Sequence, residues 1–419
     1  MDINPSDDVL NPRTTLPVGR VDVAFRYMAV FAGMAAFGST GVPSLLWALI
    51  YLMTLMFVAL RFSVMLPVIT RNTPLILFPI MCWVSVLWSV DRGSTITYSV
   101  MLTVTYLAAL QIGMTTSPRK VLRTVSLVLI FGMLCSAVNY FEIFSNPWDH
   151  RGNFQGVYAS KNTIGHVMVL LILISLYEIF RLRSGRFGTR LLWILVAAVA
   201  GVQVLLADSA ASLATGFLFG SMLVISLFAL RIGFRPLFVA GATLLLASGF
   251  LLALAIIQTP LNELFFDLLQ RDATMTGRTV IWDVGWTTYA ERPLLGYGAN
   301  TFWGWGRTAN IVAILQAQYG EGMHGFHNLI IEILVMVGPI GLAAFAIGFL
   351  FMFYRAISAL SGLDPEIALL TLAILGFLLV IAMIDIALYK EHSLMTMLPI
   401  ILCVSLGEMR ERESRSRSL

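Results

Sequence analysis

The pair His327-Asn328 stands where a long polar stretch of the chain meets an apolar run, and Gly338-Pro339-Ile340-Gly341 follows nine residues later. Imidazole titrates near neutral pH, so His327 could accept a hydroxyl proton during a transfer reaction. Asn328 is a residue type that caps helices, and a helix is expected to begin here. The pattern predicts chemistry at the surface of a membrane.

His324 lies three residues before His327 and could share its face. Two histidines could bind a metal ion, but no third ligand stands at a convincing spacing. The three cysteines lie inside apolar runs and form no C-x-x-C pair. We therefore assign His324 to substrate binding and predict no metal site and no cofactor.

Arg278 opens a predicted helix over residues 277–291, and aromatic side chains follow on the same face at helical spacing, namely Trp282, Trp286 and Tyr289. The fixed fork of donors on a guanidinium matches the oxygens of a diphosphate. An arginine bound to lipid headgroups or to a nearby carboxylate remains open at this point. We expect Arg278 and Trp282 to contact substrate.

Segment 145–162 carries Arg151 and ends in Lys161-Asn162. Its glycines allow the backbone to approach a ligand closely, and its end opens a helix whose N-terminal amides favour an anion. Because a cation at a helix start is unfavourable to the helix dipole, Lys161 predicts an anionic substrate. A lysine that reaches from the chain to the membrane interface is the open alternative.

The elements that position these residues must be membrane helices. The chain has 419 residues, 58% of them hydrophobic and only 12% charged, with a mean hydropathy of +0.85. Soluble domains carry roughly 25% charged residues. Apolar stretches long enough to cross a bilayer recur along the chain, and the backbone in lipid must satisfy its own hydrogen bonds. The sequence predicts an all-α polytopic membrane protein, and its net charge of +4 reflects loop arginines with no nucleic acid as partner.

About twelve transmembrane helices are predicted, with residues 1–21 as a cytoplasmic segment, 61–72 as a connector, 258–327 as one long periplasmic loop and 409–419 as a cytoplasmic tail. Nine spans fall within 22–257 and three within 328–408. The predicted spans are 22–40, 43–60, 73–90, 96–114, 121–144, 163–180, 190–207, 210–230, 236–257, 328–353, 366–387 and 393–408.

Positive charge sets the predicted orientation. With both termini in the cytoplasm, only 8 of the 27 basic residues face outward. Six of these lie in the two outer loops: Arg151, Lys161, Arg271, Arg278, Arg292 and Arg307. The predicted location is the bacterial inner membrane, with the active site facing the periplasm.

His327-Asn328 and Gly338-x-x-Gly341 resemble the signature of bacterial O-antigen ligases and of the related O-antigen and exopolysaccharide polymerases. Further stretches are similar to the same group, the last two to its exopolysaccharide-polymerase branch. They are Gly277-Arg278 with Trp282, Pro293 to Gly298, Arg151-Gly152 through Lys161-Asn162 and Gly165, and Asp208-Ser209 with Ser212. The resemblance covers about 145–345.

The resemblance implies a metal-independent membrane glycosyltransferase of the lipid-dependent type. Its donor would be an oligosaccharide on undecaprenyl diphosphate, and its acceptor a glycan hydroxyl. In that reaction Arg278 would stabilise the leaving diphosphate, with help from Arg151 and Lys161. His327 would activate the acceptor, giving inversion. Asn328, Asn162 and His324 would contact substrate, membrane lipids would surround the protein, and a flippase and a chain-length regulator would be partners.

Two alternatives stay open. An O-antigen ligase, which transfers glycan to the lipid A core, shares the signature. A transporter or flippase of lipid-linked oligosaccharide would also be all-helical, but carriers place ionisable groups near the bilayer midplane. Here acidic residues such as Glu332 and Asp385 stand near predicted outer span ends, which favours surface chemistry.

Overall fold

A computed structural model describes residues 20–33, 42–149, 151–182, 187–235, 241, 278–303, 312–314, 325–362, 364–385 and 388–417. In this part of the chain the regular structure is helical, and the one β-type contact is an isolated bridge between Trp148 and Phe154. Eight of the described helices are long and apolar enough to cross a membrane. The predicted all-α polytopic membrane fold is confirmed.

Twelve described helices are used below. They are α1 (Arg20–Ala32), α2 (Val42–Arg71), α3 (Thr73–Val84, followed by a 3-10 turn Ser85–Leu87), α4 (Arg92–Thr115), α5 (Pro118–Asn139), α6 (Lys161–Arg181), α7 (Phe187–Leu206), α8 (Ala210–Arg231), α9 (Arg278–Glu291), α10 (Leu329–Ala359), α11 (Pro365–Ala382) and α12 (Leu394–Arg417). The predicted span 236–257 lies outside the described residues, apart from residue 241.

The prediction of a connector at 61–72 is wrong. Helix α2 continues to Arg71 and only bends at Arg61, where the backbone leaves helical geometry (φ −131°, ψ 27°). The guanidinium of Arg61 lies over the ring of Phe57, one turn earlier, with 5.4 Å between them, so it packs beside its own helix at the kink.

Helix α12 extends to Arg417 and so runs through most of the predicted tail, 409–419. Glu408 and Glu411 of α12 form ion pairs with Arg71 at the end of α2. These contacts hold the charged turns of α12 against a neighbouring helix.

Helix α11 lies at the centre of the bundle, where 78% of its most apolar window is buried, against 22% for α2 and α7. A helix that is apolar on all sides is expected inside a bundle or against lipid. The exposed leucines of α2 and α7, among them Leu52, Leu60 and Leu191, suit contact with lipid chains.

Helix α10 is kinked at Gly338, which has a positive φ of 68° and precedes Pro339. Proline has no N–H, so the carbonyl of Val335 loses its partner within the helix. The amide of Tyr297 donates to that carbonyl at 2.9 Å. A Cβ on Gly338 would overlap the carbonyl of Leu294, so only glycine allows both the turn and this approach. At the kink, the segment after α9 is therefore hydrogen-bonded to α10, the helix that follows His327.

Candidate active site

His327 lies in a left-handed backbone conformation (φ 51°), immediately before the residue that caps α10. The side-chain oxygen of Asn328 accepts hydrogen bonds from the amides of Ile330, at 3.0 Å, and Ile331, at 3.3 Å. The predicted cap is present. Asn328 is buried, and its carbonyl oxygen is occupied by the cap.

The partner of His327 is Asp385, which lies just beyond the end of α11. The distance from His327 Nδ1 to Asp385 Oδ1 is 2.8 Å, and the two side chains are only 24% and 14% exposed. A carboxylate at Nδ1 favours the tautomer with the proton on that nitrogen, which leaves Nε2 with a lone pair. Such an imidazole can accept a proton, and the carboxylate stabilises the cation that forms.

A second histidine approaches the same carboxylate. His166 Nε2 of α6 lies 3.9 Å from Asp385 Oδ2, and its side chain is 8% exposed. Sequence reasoning missed His166 entirely and considered Asp385 only as an acidic group near a span end. The signal that could have found both is an ionisable side chain within or beside an otherwise apolar membrane helix.

Glu332 fixes the backbone that precedes His327. Its carboxylate accepts hydrogen bonds from the amide of Phe326, at 2.7 Å, and from the indole of Trp303, at 3.1 Å. Glu332 is buried one turn into α10, where a negative charge also suits the helix dipole. The position of His327 is therefore set on one side by a cap and on the other by this carboxylate.

Helix α9 packs on the same turn. The indole of Trp282 donates to the carbonyl of Phe326 at 3.0 Å, and Gly285 lies directly against Ile331 and Phe326. Arg278, predicted to be catalytic, is the first residue of α9 and stands one turn before Trp282. Its side chain is outside the described residues, as is the whole of His324. The structure gives Trp282, predicted to bind substrate, a role in holding α9 beside His327.

Lys161 and Asn162 connect the start of α6 to the turn between α7 and α8. The Lys161 ammonium donates to the carbonyl of Asp208 at 3.3 Å, and Ser209 donates to the amide oxygen of Asn162 at 3.1 Å. Asn162 stands four residues before His166, on the same helical face. This turn of α6 therefore lies next to the residue that approaches Asp385.

Arg151 has an exposed side chain in a turn built around Asp149. The carboxylate of Asp149 accepts hydrogen bonds from the backbone amides of Arg151, at 2.8 Å, and Asn153, at 2.9 Å. The turn thus presents the Arg151 guanidinium to the surroundings of the bundle. Within the described residues, no group of three His, Cys, Asp or Glu side chains is arranged to hold a metal ion.

Comparison with known proteins shows similarity over parts of the chain. Residues 195–346 match the family model described as O-antigen ligase, a region that includes His327, Gly338 and α9. The chain is also similar to the exopolysaccharide production protein ExoQ of Rhizobium meliloti (strain 1021), with 27% identity over 303 residues. That match covers 69% of this chain and 66% of the relative, just under two thirds of its length. Over residues 195–346 the chain, with its histidine at the mouth of a kinked membrane helix, is similar to the O-antigen ligase family.

Proposed function

We propose that the protein is a membrane glycosyltransferase that moves an oligosaccharide from undecaprenyl diphosphate to a sugar hydroxyl and so polymerises exopolysaccharide or O-antigen repeats. The observation that carries this proposal is the 2.8 Å contact between His327 and Asp385, at the mouth of α10 and beside the helix that begins at Arg278. The family match and the name of the Rhizobium relative support the same class of reaction.

His327 is the base in this mechanism. Its Nε2 accepts the proton of the acceptor hydroxyl while that oxygen attacks the anomeric carbon of the donor sugar. The bond between this carbon and the diphosphate oxygen breaks, and its electron pair leaves with the diphosphate. Because attack and departure occur on opposite faces, the anomeric configuration inverts. Asp385 holds the ring and stabilises the imidazolium.

The leaving diphosphate gains negative charge, which cations placed in advance stabilise. Arg278 is the first candidate for this stabilising cation, since Trp282 of the same helix, α9, donates a hydrogen bond to Phe326, the residue before His327. Arg151 and Lys161 are the proposed helpers. A lysine ammonium has three donors, and the contact with Asp208 uses one of them. None of these steps requires a metal ion.

We place the site on the periplasmic side of the bacterial inner membrane. Several helices carry an arginine in the terminal turn at the end that lies away from His327. These are Arg71 of α2, Arg119 of α5, Arg181 of α6 and Arg231 of α8. Positive charge concentrates on the cytoplasmic side of membrane proteins. Both termini would then be cytoplasmic, and a flippase would deliver the lipid-linked repeat to the outer leaflet, with a chain-length regulator acting on the product.

The test uses full-length protein in liposomes supplied with a lipid-linked repeat. Wild type should lengthen the glycan with inversion at the new linkage, and His327→Ala and Arg278→Ala should not. Glu142→Gln, which changes an exposed carboxylate beyond the end of α5, is the matched control. Full polymer from either active-site variant at normal protein levels overturns the proposal.

Two further outcomes identify the alternatives. Transfer to a lipid A core acceptor in place of a second repeat indicates a ligase, the activity in the family description. Movement of the labelled lipid across the bilayer without any new glycosidic bond indicates a flippase.

A further inference from the structure

An open cleft of about 450 Å³ lies between the first turns of α4 and the loop at 388–393 that joins α11 to α12. Its walls include Asp91, Tyr98, Asn300 and Glu391. The volume falls in the range of small-molecule sites, roughly 300–1,000 Å³. Among the residues that the structure describes, none of those assigned above to catalysis or substrate binding lines this cleft.

The cleft and the His327 site are close along the chain: Asp385, which contacts His327, precedes by six positions Glu391, which lines the cleft. The hydroxyl of Tyr98 donates to the carbonyl of Tyr389 at 2.6 Å, which fixes the loop at 388–393 against α4. Burial, and then the negative charges of Glu332, Asp385 and Glu391, raise the pKa of the Tyr389 phenol well above its usual value. Tyr389 lies between the two places in the chain, four residues after Asp385 and two before Glu391.

The chemistry of the cleft suits hydroxyl groups. Asp91 caps α4 and accepts from the amide of Ser94 at 3.2 Å and from its hydroxyl at 2.6 Å. The hydrogen bonds from Ser94 lower the pKa of the Asp91 carboxyl, so it stays charged and rigidly placed. Glu391 and the exposed amide of Asn300 add further polar groups, and Met101 adds apolar surface. A ligand with hydroxyls on its edge and C–H groups on its face matches this set.

The charge of the cleft selects against phosphate. Its walls carry two carboxylates, and none of its described lining residues is basic. Like charges repel, so carboxylates in the walls disfavour a diphosphate at this position. The basic residues that suit a diphosphate are Arg278, Arg151 and Lys161, on the elements described above.

We propose that this cleft is a subsite for a phosphate-free sugar of the acceptor glycan, next to the sugar whose hydroxyl reaches His327. The assignment rests on the proposed function, because it supplies that reaction with its second substrate. Asp91 and Glu391 accept hydrogen bonds from sugar hydroxyls, and Asn300 can both donate and accept. Occupation of the cleft would position the acceptor across the loop from the base.

The test measures binding apart from turnover. The probe is the repeat-unit oligosaccharide released from the lipid donor by mild acid, which carries neither lipid nor diphosphate. Its affinity for full-length protein in nanodiscs is measured by saturation-transfer NMR for wild type, Asp91→Asn, Glu391→Gln and His327→Ala. Glu142→Gln is the control, since it removes an exposed carboxylate outside both sites. Asp91→Asn keeps a capping residue, and Glu391→Gln changes no cap.

Loss of a hydrogen bond from a sugar hydroxyl is expected to weaken binding about tenfold in Asp91→Asn and in Glu391→Gln. Glu142→Gln should bind like wild type, and His327→Ala should weaken binding by no more than about tenfold. In turnover, the two cleft variants should raise the KM for acceptor about tenfold and leave kcat within a factor of about three.

Equal affinity in wild type and Glu391→Gln overturns the subsite while leaving the transferase intact. The same holds if calcium binds to the cleft and the oligosaccharide does not. Oligosaccharide binding that depends on Glu391, in a protein that joins no sugars, would instead support the subsite and count against the proposed function.

Discussion

Replacing Asp385 by asparagine isolates the contribution of the carboxylate to His327. The change preserves the size of the side chain but removes its charge, at a contact of 2.8 Å between groups that are 24% and 14% exposed. A hydrogen bond to a charged partner contributes about 1.5–3 kcal/mol, which corresponds to about 10- to 150-fold in rate. Asparagine can also donate its amide N–H to Nδ1, which moves the imidazole proton to Nε2 and removes the lone pair. We therefore expect a fall in kcat of about 10- to 150-fold, with a smaller change in KM.

The assay is the initial rate of glycan elongation in liposomes at saturating acceptor, normalised to protein inserted. The double variant His327→Ala with Asp385→Asn should be no slower than His327→Ala alone, because the two residues act as one unit. Glu142→Gln should keep the wild-type rate. The reasoning is refuted if Asp385→Asn retains more than about a third of the wild-type kcat, or if the two effects multiply in the double variant.

Two other predictions concern stability. Gly338→Ala places a Cβ against the Leu294 carbonyl at a positive φ of 68°. We expect this change to destabilise the protein by about 2–4 kcal/mol and to lower its melting temperature in detergent. An unchanged melting temperature would contradict the account of the kink. Burial lowers the pKa of His392 to about 4 from 6.5, where Trp47 stacks on its ring and Tyr51 contacts Nε2. His392 therefore binds a proton more readily in the unfolded chain than in the folded protein. Its contribution to the free energy of unfolding should be complete above pH 6.5 and should decrease as the pH falls from 6.5 to about 4. His392→Gln should flatten this part of the pH profile of the melting temperature, and an equally steep profile would contradict it.

Much of the fold could be predicted from local signals in the sequence. Span length and apolar composition depend only on the chain and the thickness of the bilayer, so they identified the membrane class and most helices within a few residues. The cap at Asn328 and the start of α9 are also local, since a helix boundary depends on the few residues around it. The charge at Arg61 was a poor guide because a guanidinium can lie along its own helix.

The partners within the site could not be predicted in this way. Asp385 lies 58 positions after His327 in the chain, and no spacing rule brings a loop after α11 to the mouth of α10. The same applies to Trp282, whose indole donates a hydrogen bond to the carbonyl of Phe326.

The sequence by itself determined that this protein is a bundle of membrane helices with a histidine at a helix mouth, because composition, periodicity and caps act over short stretches of chain. Only the tertiary structure decided that the histidine meets a carboxylate, that a second histidine approaches it, and that the segment after α9 fills the kink at Gly338. These contacts join residues that are distant in the chain. Their distances depend on the packing of many helices, and no local sequence pattern encodes that packing.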